Sequence, residues 1–173
     1  MNQVANDKIS NNYAFIDGQN LYLAVLELGW KIDFKRFRTY LKEKYNVSKA
    51  YMFMGFLPSN QELYNFLQTA GFILVFKPIL KEKNRVKGNV DAELVLQAMI
   101  DFKEYDKAVI ITGDGDFYCL IKYLDSNDKL MRVLAPSPDN CSSLLTKIAG
   151  KKIAFVSDLR NKIEYKKKRT QQG

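Results

Sequence analysis

Two stretches of the chain place carboxylates directly after apolar runs of strand length. Residues 112–116 read Thr-Gly-Asp-Gly-Asp and end one run, and Asp17 ends another and is also followed by glycine. If the two runs are neighbouring strands of one parallel sheet, Asp17, Asp114 and Asp116 converge at its carboxyl edge. Carboxylates gathered so closely repel one another unless a divalent cation holds them together. The spacing therefore predicts a metal-dependent site for phosphate chemistry.

A third motif, Lys-Gly-Asn-Val-Asp at residues 87–91, would bring a fourth carboxylate into the same cleft. Asp91 falls in the first turn of a predicted helix, where the helix dipole favours a carboxylate whatever its purpose. Glu93 points to a different side of that helix, so we do not expect it to be a ligand. Asn20 would offer a neutral amide to substrate or to water. Each motif also has a structural interpretation, because aspartates commonly cap helices.

The composition excludes most familiar catalytic chemistry. The chain contains no histidine, which rules out Ser-His-Asp triads, histidine bases and histidine-ligated zinc. The motifs of an EF-hand, a phosphate-binding P-loop and a dinucleotide-binding glycine turn are also missing. A total of 27 basic and 19 acidic residues gives a net charge of +8. A basic surface around an acidic focus suits a polyanion that must meet a metal.

The length of 173 residues predicts a single domain with a sizeable core. We expect residues 1–12 to be disordered or loosely attached, residues 13–160 to form the domain, and residues 161–173 to form a basic tail. No apolar run approaches the roughly 20 residues that would span a bilayer. The polar N-terminus does not resemble a signal peptide, so a cytoplasmic protein without a membrane partner is expected.

Apolar runs alternate with helical segments, which predicts an α/β fold whose mainly parallel sheet is covered on both faces. Ser59 and Glu62 have the spacing of a capping box at the start of one helix. The predicted strands span residues 13–17, 47–56, 72–76, 107–112, 130–135 and 152–156. The predicted helices span residues 21–28, 34–45, 59–70, 90–102, 116–124 and 140–148.

A basic connection leads into Asp91, and its side chains are predicted to contact phosphates. Lys87 or a neighbour would neutralise charge on the scissile phosphate. Tyr22, Trp30 and Tyr118 either pack in the protein or stack on unpaired bases. The expected substrate-binding residues are Lys77, Lys81, Lys83, Arg85, Lys87 and Thr112.

Taken in order, the motifs hydrophobic-Asp-Gly-x-Asn, Lys-Gly-x-Val-Asp and Thr-Gly-Asp-x-Asp-Phe resemble those of the NYN domain, a PIN-like nuclease group that includes LabA-like bacterial proteins. The resemblance runs from about residue 13 to residue 156. It implies a Rossmann-like three-layer α/β/α sandwich with five or six mainly parallel strands, and a ribonuclease activity that depends on Mg²⁺ or Mn²⁺. The implied metal ligands are Asp17, Asp91, Asp114 and Asp116, and the implied catalytic residues are these four with Asn20.

The expected reaction is hydrolysis of RNA, single-stranded or unpaired. Gln97 stands where many NYN domains carry a further aspartate, which keeps a second hypothesis open: a catalytically weak or inactive RNA- or nucleotide-binding module with a regulatory role. A metal-dependent phosphatase acting on small phosphates is a third. The residues leave the oligomeric state open, a homodimer included.

Overall fold

The computed structural model describes residues 10–78, 80–82, 85–87 and 90–167. Within these ranges, six parallel strands form one sheet, and helices cover both of its faces. A separate antiparallel hairpin of two short strands lies in the connection that follows the third strand. The strands of the main sheet are β1 (Asn12–Asp17), β2 (Val47–Phe56), β3 (Ile73–Pro78), β6 (Ala108–Ile111), β7 (Leu130–Ala135) and β8 (Ile153–Phe155), and those of the hairpin are β4 (Leu80–Glu82) and β5 (Arg85–Lys87).

The helices form two layers, and the alternation of side chains along each strand separates two apolar cores. On β1, Ala14 and Ile16 face the first layer, whereas Tyr13 and Phe15 face the second. The first layer contains α1 (Gly18–Glu27), α2 (Phe34–Tyr45), α3 (Gln61–Thr69) and α7 (Arg160–Ile163). The second layer contains α4 (Asp91–Ile100), α5 (Tyr118–Ser126) and α6 (Ser143–Ala149). The predicted α/β class with a mainly parallel sheet of five or six strands is confirmed.

The strand order of the main sheet is β3-β2-β1-β6-β7-β8. Because the hairpin is outside this sheet, β6 is the fourth strand of the sheet along the chain, and the order corresponds to that of doubly wound nucleotide-binding folds. The order reverses between β1 and β6. Among the described residues, no helix combines the length and the apolar character that crossing a membrane requires.

The capping box predicted at α3 is wrong. Ser59 lies inside a short 3-10 turn, Pro58–Asn60, and Asn60 precedes α3 without a capping bond from its side chain. The physical reason is Pro58, whose fixed φ starts a helical turn earlier than the capping residue would. A similar 3-10 turn, Gly115–Phe117, precedes α5 where the sequence predicts continuous helix.

Residues just outside the predicted range 13–160 contact the rest of the chain at both ends, and the domain bounds themselves stay a prediction. Asn12 begins β1 and is fully buried. Its Nδ2 donates to the carbonyl of Tyr45 (2.6 Å), and its Oδ1 accepts from the N–H of Lys107 (3.0 Å). At the other end, Ile163 is fully buried, and the N–H of Tyr165 donates to a backbone carbonyl in the α1–α2 connection (2.8 Å).

We expect Asn12→Ala to lower the free energy of unfolding by about 2–4 kcal/mol, because two backbone groups lose a partner in a buried position. Urea denaturation monitored by circular dichroism measures the change. The matched control is Asn127→Ala. This substitution also removes a hydrogen bond from a side-chain amide to a backbone carbonyl, that of Tyr123, but at an exposed site. Its effect should stay within about 0.5 kcal/mol. Equal effects of the two substitutions would contradict this account of how β1 is anchored.

Candidate metal centre

The carboxyl ends of β1 and β6 form a crevice, because the helices that follow these neighbouring strands pack on opposite faces of the sheet. After β1, α1 packs on the first face, and after β6, α5 packs on the second. β1 ends at Asp17, and β6 is followed by the turn at residues 112–116. In doubly wound sheets, ligands bind at this place, where the strand order reverses.

Three carboxylates gather at this crevice from two separate segments of the chain. Asp114 and Asp116 come from the turn after β6, and Asp91 comes from the first turn of α4. One carboxylate oxygen of each lies within 4.8 Å of those of the other two. Asp91 and Asp114 are half-buried, whereas Asp116 is exposed. The cluster is therefore open to solvent on one side and supported by the protein on the other.

The turn that carries Asp114 is held by its own hydrogen bonds. The N–H of Asp116 donates to Asp114 Oδ1 (2.9 Å), and the N–H of Asp114 donates to Thr112 Oγ1 (3.1 Å). Asp114 thus caps the 3-10 turn that leads into α5. Since a carboxylate has two oxygens, capping leaves the second oxygen available to a cation. The structural interpretation of this aspartate and the functional one are compatible.

The glycines on either side of Asp114 allow a second loop to pack directly against the turn. A Cβ on Gly113 would lie 1.9 Å from the carbonyl oxygen of Asn140, and a Cβ on Gly115 would lie 2.6 Å from Ser142 Oγ. No side chain fits at the first of these positions without moving backbone. The glycines therefore set the position of the aspartate relative to the loop at residues 136–142.

Asp17 lies deeper than the other carboxylates and is 6% exposed. Burial raises its pKa from 3.8 to about 6, and the neighbouring negative charges of Asp91 and Asp114 add to this effect. Hydrogen bonds from the N–H of Asn20 (3.2 Å) and from the Thr112 side chain act in the opposite direction. Asp17 is electrostatically coupled to the cluster although it lies outside the group of three.

Asn20 and Thr112 connect the segments of the site from within. Asn20 Oδ1 accepts a hydrogen bond from the N–H of Gly113 (3.0 Å), which ties the start of α1 to the end of β6. Its carbonyl oxygen is therefore used inside the protein, whereas the sequence predicts an amide facing substrate or water. Thr112 is fully buried. Its hydroxyl is buried against Asp114 and Asp17, and its role as a direct substrate contact stays a prediction.

The basic residues predicted to bind substrate are described only in part. The side chains of Lys81, Lys83, Arg85 and Lys87 lie outside the described part of the structure. Lys77 Nζ lies 3.4 Å from Glu93 Oε2, so these two side chains form an ion pair between β3 and the first turn of α4.

The remaining residues that the sequence singles out take different positions. Gln97 Nε2 donates to Asp101 Oδ2 (3.0 Å), further along the second helical layer. Trp30 is buried in the first core and packs there. Tyr22 is 46% exposed, and Tyr118 is half-buried at the start of α5.

Sequence reasoning missed the supporting loop at residues 136–142. Its Asn140 contacts the glycine turn, and Asn140 Nδ2 also donates to Glu27 Oε2 on α1 (3.2 Å). The signal that could have found it is the sequence Pro-Ser-Pro-Asp-Asn directly after β7, which places a tight turn at the same carboxyl edge of the sheet.

The donor set fits a hard divalent cation. Hard cations such as Mg²⁺, Mn²⁺ and Ca²⁺ prefer oxygen ligands, and carboxylates that converge from separate segments supply them. The three carboxylate oxygens within 4.8 Å of one another are close enough to share one ion or a pair of ions. The site thus contains the oxygen ligands and the negative charge that such a cation needs.

Comparison with known proteins places the chain in a family. The model of the NYN domain matches residues 13–154, so the chain belongs to the NYN domain family, a branch of the PIN-like nuclease superfamily whose members are generally nucleases. The low amplitude and bright protein LabA of Synechococcus elongatus is 29% identical over 163 residues, which cover 87% of this chain and 86% of the relative. A Vibrio parahaemolyticus protein of unknown function has a crystal structure of similar fold, with a TM-score of 0.77 and 21% identity, covering 92% of this chain and 98% of that one.

We expect Asp17→Asn to stabilise the metal-free protein at neutral pH. Because the folded protein raises the pKa of Asp17 from 3.8 to about 6, the folded state holds this proton more tightly than the unfolded state. The contribution of Asp17 to stability is therefore lost as the pH rises from about 4 to above 6. In EDTA at pH 7, the free energy of unfolding of the variant should exceed that of the wild type by about 1–3 kcal/mol. Near pH 4, the two proteins should have equal free energies of unfolding.

The matched control for this measurement is Asp33→Asn. Asp33 caps α2 through the N–H of Arg36, as Asp17 caps α1, but its side chain is partly exposed and lies within an ion-pair distance of Arg36. Urea denaturation across this pH range should show no gain for the control. A wild type that is as stable as Asp17→Asn at pH 7 would overturn the electrostatic description of the site.

Proposed function

We propose that the protein is a metal-dependent ribonuclease that hydrolyses phosphodiester bonds at the carboxyl edge of its sheet. The observation that carries the proposal is the convergence of Asp91, Asp114 and Asp116, three carboxylates from two segments, within 4.8 Å. The NYN family supports a nuclease, and the net charge of +8 supports a polyanionic substrate. We further propose RNA in single-stranded or unpaired form as the substrate and Mg²⁺ or Mn²⁺ as the cofactor.

The carboxylates of Asp91, Asp114 and Asp116 would hold the cation. A bound divalent cation would lower the pKa of water, which makes the water a better nucleophile, and would stabilise the negative charge on the leaving oxygen. Asp17 stands behind the cluster and adds negative charge that strengthens the attraction of the site for cations. Asn20 and Thr112 hold the ends of β1 and β6 in register, so that the carboxylates keep their mutual positions.

The geometry does not require histidine for any step. Asp116 is the exposed member of the cluster and is the carboxylate most accessible to an incoming phosphodiester. Lys77 on β3 forms an ion pair with Glu93 in the first turn of α4, the turn that also contains Asp91.

A second candidate is RNA binding without hydrolysis, and Gln97 favours it. The described cluster receives no carboxylate from position 97, because Gln97 has an amide, which donates a hydrogen bond to Asp101. Such a site has less negative charge with which to hold a second cation. The two candidates differ in one observable, the appearance of cleavage products.

We expect Asp114→Asn to lower metal-dependent cleavage of labelled RNA by at least about a hundredfold, because it removes a charge that the cation needs. Folding should survive, since asparagine caps helices as well as aspartate does. Product formation is measured with Mn²⁺ or Mg²⁺ and with an EDTA control, and binding of the same RNA is measured by fluorescence anisotropy.

The matched control is Asp128→Asn. Asp128 is exposed, precedes β7 at the amino edge of the sheet and has a positive φ that asparagine also tolerates. Its cleavage rate should equal that of the wild type. Full activity in Asp114→Asn would exclude the proposed mechanism, and tight RNA binding by the wild type without any products would favour the binding module.

A further inference from the structure

A cavity opens between α1, β2 and α3, on the face of the sheet that the first helical layer covers. Its volume is about 260 Å³. The walls are mainly apolar, and the lining residues that the structure describes include no Lys, Arg, Asp or Glu. The main contributors are Tyr22 and Leu23 from α1, Met52 and Met54 from β2, and Leu63 and Tyr64 from α3.

The first turn of α1 links the cavity along the chain to Asp17, at the carboxyl edge of the sheet where the carboxylates lie (the acidic edge). Gly18, which lines the cavity, is the residue after Asp17. A Cβ on Gly18 would lie 3.0 Å from both Met52 Cγ and the carbonyl oxygen of Phe53, so α1 begins in close contact with the end of β2. The residue that begins α1 therefore lines the cavity, and the residue before it lies at the acidic edge.

The chemistry of the lining suits a flat, uncharged ring with polar edges. Phosphate is disfavoured because no charged side chain is present to compensate its desolvation. Tyr22 is 46% exposed and offers a ring on which a base can stack. Two side-chain amides also line the cavity: Gln19 is exposed, and Asn60 makes no capping bond to α3. An amide can donate hydrogen bonds to the ring nitrogens and carbonyl oxygens of a base and can accept them from its N–H groups.

The opposite wall of the cavity is held in place by Tyr64. Its hydroxyl accepts the N–H of Leu57 (2.8 Å) and donates to the carbonyl of Gly55 (3.4 Å). The pocket is thus preformed on that side. Its volume lies just below the roughly 300–1,000 Å³ of sites for drug-sized ligands, which fits a single ring system better than a larger molecule.

We propose that this cavity binds one unpaired base of the RNA strand whose phosphate lies at the acidic edge. The inference rests on the proposed function and adds to it a base-binding subsite in the first helical layer. A base that enters the cavity cannot remain paired or stacked in a duplex. Such a subsite would favour the proposed single-stranded or unpaired substrate, and it would make one nucleotide position more important for binding than the others.

The test is an abasic scan with short single-stranded RNA, in which one base at a time is replaced by an abasic residue. The dissociation constant of each oligonucleotide is measured by anisotropy in EDTA with the full chain. For the wild type, we expect one position at which loss of the base weakens binding about tenfold. Leu63 lines the cavity and is 42% exposed, so the indole of Leu63→Trp should fill the cavity. In this variant, loss of the base at that position should weaken binding no more than loss of a base elsewhere.

Two further variants keep the test independent of the folding of Leu63→Trp. Tyr22→Ala should also abolish the greater sensitivity at this position, and Tyr123→Ala, an equally exposed tyrosine on α5, should preserve it. Leu96→Trp, at an exposed position of α4 outside the cavity, is the control for the introduced indole and should behave like the wild type.

The outcomes separate this inference from the proposed function. The subsite is overturned if removal of the base weakens binding equally at all positions. It is also overturned if one position is more sensitive and Leu63→Trp and Tyr22→Ala leave this sensitivity unchanged. In both cases, RNA binding and Mn²⁺-dependent cleavage would still support the nuclease. Binding that shows the more sensitive position but no cleavage supports the subsite and argues against hydrolysis. A wild type that binds none of the oligonucleotides overturns both.

Discussion

Repulsion between carboxylates is the constraint on which this site depends. Asp91, Asp114 and Asp116 bring like charges within 4.8 Å of one another, and Asp17 lies buried behind them. The fold partly offsets the repulsion, because Asp17 and Asp114 accept backbone N–H groups and Asp91 lies in the first turn of a helix. Burial is the main cause that raises the pKa of Asp17 to about 6, and the negative charges of Asp91 and Asp114 raise it further. A bound divalent cation would offset this negative charge.

Much of the fold could be predicted because buried parallel strands leave a strong pattern in the sequence. The runs at β2 and β7 and the amphipathic pattern of α2 match the structure at both ends. The sequence also predicts that Asp17 and Asp114 lie at one edge of the sheet, since they follow strands that are neighbours in the structure. The group of three contains Asp114 but not Asp17, because its other members come from the same turn and from α4. Errors arose where local chemistry competes, as at Pro58, which starts a turn before the expected cap.

The internal connections of the site could not be predicted because they join residues that are distant in the sequence. Thr112 has the residue type of a substrate contact, and the sequence does not show that it is completely buried and accepts a hydrogen bond from the N–H of Asp114. The bond between Asn20 and Gly113 spans 93 residues, and that between Asn140 and Glu27 spans 113. The apolar cavity beside α1 likewise arises from three elements that are distant from one another in the sequence.

The most direct test of the central claim is anomalous diffraction from crystals soaked in Mn²⁺. The account predicts an anomalous peak for Mn²⁺ at about 2.0–2.3 Å from carboxylate oxygens of Asp91 and Asp114, which is the usual distance between a hard divalent cation and its oxygen ligands. Asp116 should either contact the same ion or lie beside a second one. A crevice without a peak at saturating Mn²⁺, with the three side chains still clustered, would contradict the claim that these carboxylates form a metal centre.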